Sequence, residues 1–282
     1  MRTDSYSVVI PAFNAERTIE RAIRSALSQE PGPAEVIEGD DGSADSTAAV
    51  AESAGAHVLR LPKANGAVAR NRAAQQATGD LLFFLDADDW WAPGKAQAHF
   101  QVWAERDPSF VYDVATKMNP KDQARGIMGL GPEGPVGWEA FLDWQTWASG
   151  SSFSVPAERY RSLGGFREEL ISQQDVDFWI RAANGFGPAW RIERSFTFYR
   201  LSPGGVSKQP RDVARNLDNL LAGWQFATDR QRGEFRTLMT LTAAGFSRFP
   251  RSLHYFALAG WPVWRLKFWR ALARSLGARQ ES

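Results

Sequence analysis

An open α/β sheet with helices on both faces is the fold this 282-residue chain predicts. Three observations point to it. Short apolar runs alternate with amphipathic or alanine-rich stretches through roughly the first hundred residues, and such alternation builds a mostly parallel sheet covered on both sides. The apolar runs stop at proline, aspartate or glycine, the residues that punctuate strands and helices. From Pro210 onward the pattern turns helical, which adds a helical C-terminal appendage.

The elements follow in order. Residues 7–11 form a short strand that stops at Pro11. Ile19, Ala22, Ile23, Ala26 and Leu27 then recur as one helical stripe, with Asn14 available as its cap. Val36-Ile37 is a second strand, closed by Asp40-Asp41-Gly42-Ser43, and a helix runs on to about Ala54. A strand at 57–61 precedes an alanine-rich helix from about Ala67, for which Gly79 is the expected stop. Residues 81–85 are a fourth strand, and Pro93 suits the first position of another helix. Residues 117–135, rich in Gly, Pro and Met, read as a long loop. Trp190, Ile192, Phe196 and Phe198 share one parity, so 190–200 reads as a strand with one buried face.

Composition narrows the function. The chain is 44% hydrophobic and 23% charged with net charge +1, an ordinary globular balance that gives no reason to expect a nucleic-acid partner. There is no cysteine, which removes disulfides and thiolate metal sites. The segment Met1-Arg2-Thr3-Asp4 ahead of Val8-Val9-Ile10 is too short and too acidic for a signal peptide. No apolar run reaches the roughly 18 residues of a membrane span. A cytoplasmic protein is the expectation.

The carboxylates carry the chemistry. Ligands of open α/β sheets bind beyond the carboxyl ends of the strands. Two acidic groups fall there: Asp40-Asp41, and Asp86-Ala87-Asp88-Asp89 behind a wholly apolar strand. Two carboxylates about 4 Å apart repel by about 1 kcal/mol in water and several times more near a protein interior. Aspartate also caps helices and makes turns, which suits Asp40 and Asp45. Three acids at one strand end exceed what a cap uses. Hard oxygen donors suit Mg²⁺ or Mn²⁺, which leave positions for substrate phosphates and water.

Val8-Val9-Ile10-Pro11-Ala12-Phe13-Asn14, Asp40-Asp41-Gly42-Ser43, Asn65-Gly66-Ala67-Val68-Ala69-Arg70-Asn71 and Leu85-Asp86-Ala87-Asp88-Asp89, followed by Gly164-Gly165-Phe166 and the run from Gln174 to Arg181, resemble the family 2 glycosyltransferases. The resemblance spans roughly residues 5 to 205. It implies the GT-A fold, an open mixed sheet flanked by helices. It also implies inverting transfer of a sugar from a nucleoside diphosphate sugar, UDP-sugar above all, to an acceptor hydroxyl; the Gln-x-x-Arg-Trp motif and membrane helices of the family's processive synthases are missing, so non-processive, single addition is expected. By position it gives Asp41 to the nucleotide base, with Pro11, Phe13 and Asn14 lining that pocket, and Arg70 to the base and diphosphate. Asp86 falls near the ribose and Asp88 on the metal, as the family's D-x-D, with Asp89 in support. Asp175 falls where the catalytic base stands, preceded by Gln174 where an acid is usual. Arg200 matches a Tyr-Arg position from which residues 202–207 could bring it to the diphosphate. Residues 1–207 would be the catalytic domain, its nucleotide-sugar half about 1–115 and its acceptor half about 116–207, with a helical region at 208–282.

Trp138, Trp144 and Trp147 are candidates for stacking on an acceptor sugar, Trp144 foremost, against the plainer role of core aromatics. His57, His99 and His254 lie in no metal-ligand spacing. The tail from Arg248 sets arginines opposite Trp261, Trp264, Phe268 and Trp269, as either an interfacial membrane helix or a helix packed on the domain would. A lipid-linked saccharide acceptor would suit the first. Two other readings compete: a non-catalytic nucleotide-sugar-binding protein, and a sugar-nucleotide pyrophosphorylase. Asn14-Ala15-Glu16-Arg17, standing where a glycine-rich phosphate loop would be, disfavours the latter.

Overall fold

A computed structural model describes residues 5–128, 131–142, 146, 148–201 and 210–246. They divide into two compact units, one of residues 5–168 and 175–201, the other of 169–174 and 210–246.

The first unit is built on a mixed sheet. Strand β1 (Tyr6–Ala12) is followed by helix α1 (Ile19–Leu27), β2 (Glu35–Asp40), α2 (Thr47–Ala54), β3 (His57–Arg60), α3 (Gly66–Gln76) and β4 (Leu81–Phe84). Strands β3, β2, β1 and β4 lie side by side and parallel. The chain thus extends the sheet one way from β1 and then returns to its other side. That reversal opens a crevice beyond the carboxyl ends of the strands.

Next come β5 (Trp90–Trp91), α4 (Lys95–Glu105), β6 (Val111–Met118), β7 (Ala124–Met128), β8 (Gly134–Val136), α5 (Trp138–Leu142), β9 (Phe153–Pro156), α6 (Ala157–Ser162), α7 (Gln174–Phe186) and β10 (Ala189–Arg200). Strand β9 runs antiparallel between β4 and β6, β10 is parallel to β6, and β5 closes that edge.

Burial explains the layers. Leu81–Phe84 is apolar throughout because both faces of β4 are covered. Val8, Ile10, Val36 and Phe83 pack with Ala22, Ile23, Ala51 and Ala54 of α1 and α2. On the opposite face α3 approaches so closely that a Cβ on Gly39 would lie 2.6 Å from the Ala69 carbonyl oxygen. Phe84 stacks on Phe153 at 4.8 Å, and Tyr160, Phe166 and Phe178 complete an aromatic cluster around them. Each such ring contributes about 1.5–3 kcal/mol through burial, and together they seat α7.

Several expectations need correction. β1 does not stop at Pro11 but carries it, in register with Gly39. Leu27 is 41% exposed, outside the buried stripe of α1. Helix α3 ends at Gln76, before Gly79. Gly79 instead serves a close approach, since a Cβ there would lie 2.5 Å from the Ser7 nitrogen. Pro93 precedes α4, which starts at Lys95 behind Gly94, at φ 88. The supposed loop at 117–135 contains the end of β6, strand β7 and the start of β8. Strand β10 is covered on both faces at Arg191-Ile192 and Phe196-Thr197, while Glu193 and Arg194 between them are exposed.

The second unit contains α8 (Pro210–Ala222) and α9 (Asp229–Phe246), with Trp224 edge-on to Phe235 at 4.8 Å. Asn216 clasps the 169–174 segment, donating to the Ser172 carbonyl at 2.6 Å and accepting from the Ile171 amide at 3.0 Å. No helix among the described residues is long and apolar enough to cross a membrane. Trp144, Trp147, His254 and the tail from Arg248 lie outside the described residues.

Candidate active site

At the end of β1, Phe13 presents a ring that is 47% exposed. Asn14 adopts φ 50 and does not cap α1, whose N-cap is Thr18. Its Oδ1 instead accepts from the Ala44 amide at 2.9 Å, and its own amide donates to Ser43 Oγ at 2.9 Å. Asn14 therefore ties the first strand end to the second. There Asp40 makes the turn, accepting from the Ser43 amide at 3.0 Å. Asp41 is buried and accepts from the Ala64 amide at 2.7 Å and from Lys63 Nζ at 2.5 Å.

The end of β4 is different. Asp86 is half-buried, and its Oδ1 accepts from the Arg70 guanidinium at 2.5 Å. Its carboxyl lies against Gly150, where a Cβ would come within 3.0 Å of Oδ2. Asp88 is half-buried as well. Asp89 is covered, accepting from Ser151 Oγ at 2.5 Å and from the Arg200 amide at 2.7 Å, while Ser151 Oγ also accepts from the Asp86 amide. Burial first, then repulsion from Asp88 and Asp86, holds the Asp89 carboxyl well above the usual carboxylate range. Arg200 is engaged within the fold, with its Nε donating to the Asp88 carbonyl and its terminal nitrogen paired with Asp122 at 3.0 Å.

The acceptor-side segment is clamped by Asn71. Its Oδ1 accepts from Tyr160 Oη at 2.6 Å and from the Phe166 amide at 2.9 Å, and its Nδ2 donates to the Phe166 carbonyl. Gly165, at φ +69, leaves no room for a side chain, because a Cβ would stand 2.5 Å from Asn71 Oδ1. Asp177 anchors Arg181, which reaches the Leu163 and Gly165 carbonyls. This scaffold precedes Asp175 in the first turn of α7. Burial raises the Asp175 carboxyl to about 6, with the Val176 amide and Arg70 pulling down and Asp86 pushing up. Gln174 donates to the Leu170 carbonyl at 2.6 Å.

Arg70, Asp86 and Asp175 thus share one electrostatic neighbourhood, as do Asp88 and Asp89. Phe13, Asn14 and Asp41 gather at the neighbouring strand ends. Sequence reasoning missed three residues here. Lys63 contacts both Phe13 and Asp41. Ser151 bridges Asp86 and Asp89. Tyr199 has its phenol kept protonated by burial and then by Asp89, Asp86, Asp88 and Asp175; its place beside Arg200 in the Tyr-Arg pair was the available signal. Among the described residues no three acids or histidines form a protein-only metal cage. Asp86 and Asp88 are hard oxygen donors on partly open side chains. That donor set fits a Mg²⁺ or Mn²⁺ ion whose other positions go to phosphate oxygens and water.

The profile of glycosyl transferase family 2 matches residues 7–132. An uncharacterized glycosyltransferase of Nostoc sp. is 36% identical, over 81% of this chain and 92% of that protein. The chain belongs to glycosyl transferase family 2. The amylovoran biosynthesis glycosyltransferase AmsB of Erwinia amylovora is 40% identical over 64% of this chain and 65% of its own length, so the chain spans just under two thirds of that relative. Residues 1–349 of S. aureus TarS in complex with UDP-GlcNAc share the fold, with a TM-score of 0.64 at 17% identity, covering 95% of this chain and 79% of that one. The mixed sheet flanked by helices is therefore the GT-A architecture.

Proposed function

We propose that the chain moves one sugar from a UDP-sugar to an acceptor hydroxyl with inversion, in polysaccharide or glycolipid synthesis. The observation that carries this is the Arg70 guanidinium, paired with Asp86 and in the field of Asp175, a carboxyl raised to about 6. Asp175 accepts the proton of the acceptor hydroxyl as that oxygen bonds to the anomeric carbon and the bond to the diphosphate breaks. A carboxyl in this range is ionised at neutral pH yet basic enough to take the proton. Phe13, Asn14 and Asp41 hold the base, while Arg70 and Asp86 position the ribose and diphosphate. Asp86 and Asp88 would hold Mg²⁺ or Mn²⁺, which as a Lewis acid offsets charge on the departing diphosphate. Arg200, engaged with Asp88 and Asp122, keeps that carboxylate loop in place. UDP-GlcNAc in the TarS complex and amylovoran synthesis by AmsB support the donor and the setting respectively.

The acceptor is a saccharide, free or lipid-linked, with Trp144 as its stacking platform; the basic tail at 248–282 gives peripheral contact at the inner face of the membrane. Flotation with anionic vesicles, with and without that tail, tests the contact, and equal flotation rejects it. For the chemistry, the test is UDP-sugar turnover in Mn²⁺ by Asp175→Asn. Loss of about 10²–10⁴-fold with unchanged UDP affinity is expected, and surviving turnover would mean the base lies elsewhere.

A further inference from the structure

We propose that Lys63 is a specificity-determining residue that makes the donor pocket choose uracil over cytosine. The inference rests on the proposed donor site and adds to it a residue with a defined chemical task.

Lys63 is not an ordinary surface lysine. A Cβ on Gly42, which sits at φ +73, would lie 2.9 Å from the Lys63 nitrogen, so the two loops touch and the root of the side chain is fixed. The stem is half exposed, but the ammonium turns inward to Asp41 Oδ2 at 2.5 Å. The same nitrogen stands 3.3 Å from the centroid of the Phe13 ring. Asp41 needs no such partner merely to be satisfied on its other oxygen, which already accepts from the Ala64 amide. What results is a carboxylate acceptor and an ammonium donor side by side, next to an aromatic ring that the ammonium now covers on one face.

A pyrimidine lying on Phe13 presents its edge to that pair. Uracil offers N3–H, which suits the carboxylate, and beside it O4, which suits one of the two ammonium hydrogens not used on Asp41. Cytosine inverts both positions. Its N3 lone pair meets the carboxylate and its N4 amino group meets the ammonium. One pair of atoms therefore rewards one base and repels the other, and discrimination by buried polar groups left unpaired is the strong kind. Stacking requires the ammonium to slide from the ring face to its edge, a rotamer change open to a flexible four-carbon stem.

The experiment is calorimetric binding of UDP and CDP, each with Mg²⁺, to the wild type, Lys63→Met and Lys63→Arg, with melting curves to confirm folding. The wild type should prefer UDP. Lys63→Met should weaken UDP by about 10- to 100-fold, the range of a hydrogen bond to a charged group, and leave CDP unchanged or tighter. Lys63→Arg should retain most of the preference. An unchanged UDP-to-CDP ratio in Lys63→Met overturns the proposal, whether both nucleotides weaken together, as for a general attraction to phosphate, or neither does. Tighter UDP binding by Lys63→Met overturns it too, since the lysine would then block the pocket. A wild type that binds neither nucleotide removes the donor site itself, which is a different failure.

Discussion

Two groups of aspartates stand at the ends of β2 and β4, on either side of β1, and the fold treats them in opposite ways. Asp41, after β2, is buried with a donor on each carboxylate oxygen, one of them the Lys63 ammonium, so its charge is locally offset. Asp86, Asp88 and Asp89, after β4, crowd together with Arg70 paired to Asp86, and burial first, then repulsion from Asp88 and Asp86, pushes Asp89 well above its usual range. The difference teaches how one side chain serves two tasks. On the proposed function, the offset carboxylate would read the edge of a base, whereas the surplus of negative charge would recruit a cation.

The largest expected effect breaks or sharpens that contrast directly. Asp88→Asn should cost about 10²–10³-fold in transfer, the scale of losing one group that offsets transition-state charge, and should make UDP binding indifferent to Mn²⁺. Asp41→Asn should weaken UDP binding while leaving its Mn²⁺ dependence intact. Titrations of UDP with and without the ion check both, and Mn²⁺ dependence lost in both variants would dissolve the distinction.

A smaller effect separates the strand-end acids from the base. Asp175 must be ionised to accept a proton, so kcat/KM should rise with pH through about 6 and level off above it. Arg70→Met removes a charge that favours the ionised form, so its acid limb should move to higher pH. A limb that stays in place would show that Arg70 does not act on the base.

The same contrast governs what the sequence reveals. Strands β1 and β4 were legible because strands covered on both faces are continuous apolar runs, and α1 because one face packs on the sheet. Asp86 and Asp88 stood out since acids rarely follow such a run. Strand β7 gave no signal, as four of its five residues are exposed and Ala124-Arg125-Gly126-Ile127-Met128 shows no apolar–polar alternation, and β5 is two residues whose pairing comes from β10. Asn14 read as a cap because asparagine caps helices, but the turn at Ala44 claimed it instead. Lys63 could not be seen, since its meaning arises only when β1 and β2 bring Phe13 and Asp41 beside it.

The smallest expected effect concerns a third acid on β2, which belongs to neither class. Glu38 is fully covered, and neither carboxylate oxygen has a hydrogen-bond partner. Burial, then repulsion from Asp40, raises it from its ordinary 4.5 to about 8, with Arg60 opposing and Glu52 adding. The buried group of Lys95, His99 and Asp113 shows the alternative, since there each polar atom finds another. Glu38→Leu should therefore stabilise the fold by about 1–3 kcal/mol, the cost of an unsatisfied buried polar group. The sign with pH follows from the raised value. Unfolding releases the Glu38 proton between about 4.5 and 8, so wild-type stability falls as pH rises through that window. The advantage of Glu38→Leu should thus be smallest below 4.5 and largest above 8. Thermal melts across that range read it, and a gap independent of pH would mean that Glu38 is ionised and partnered in the folded protein.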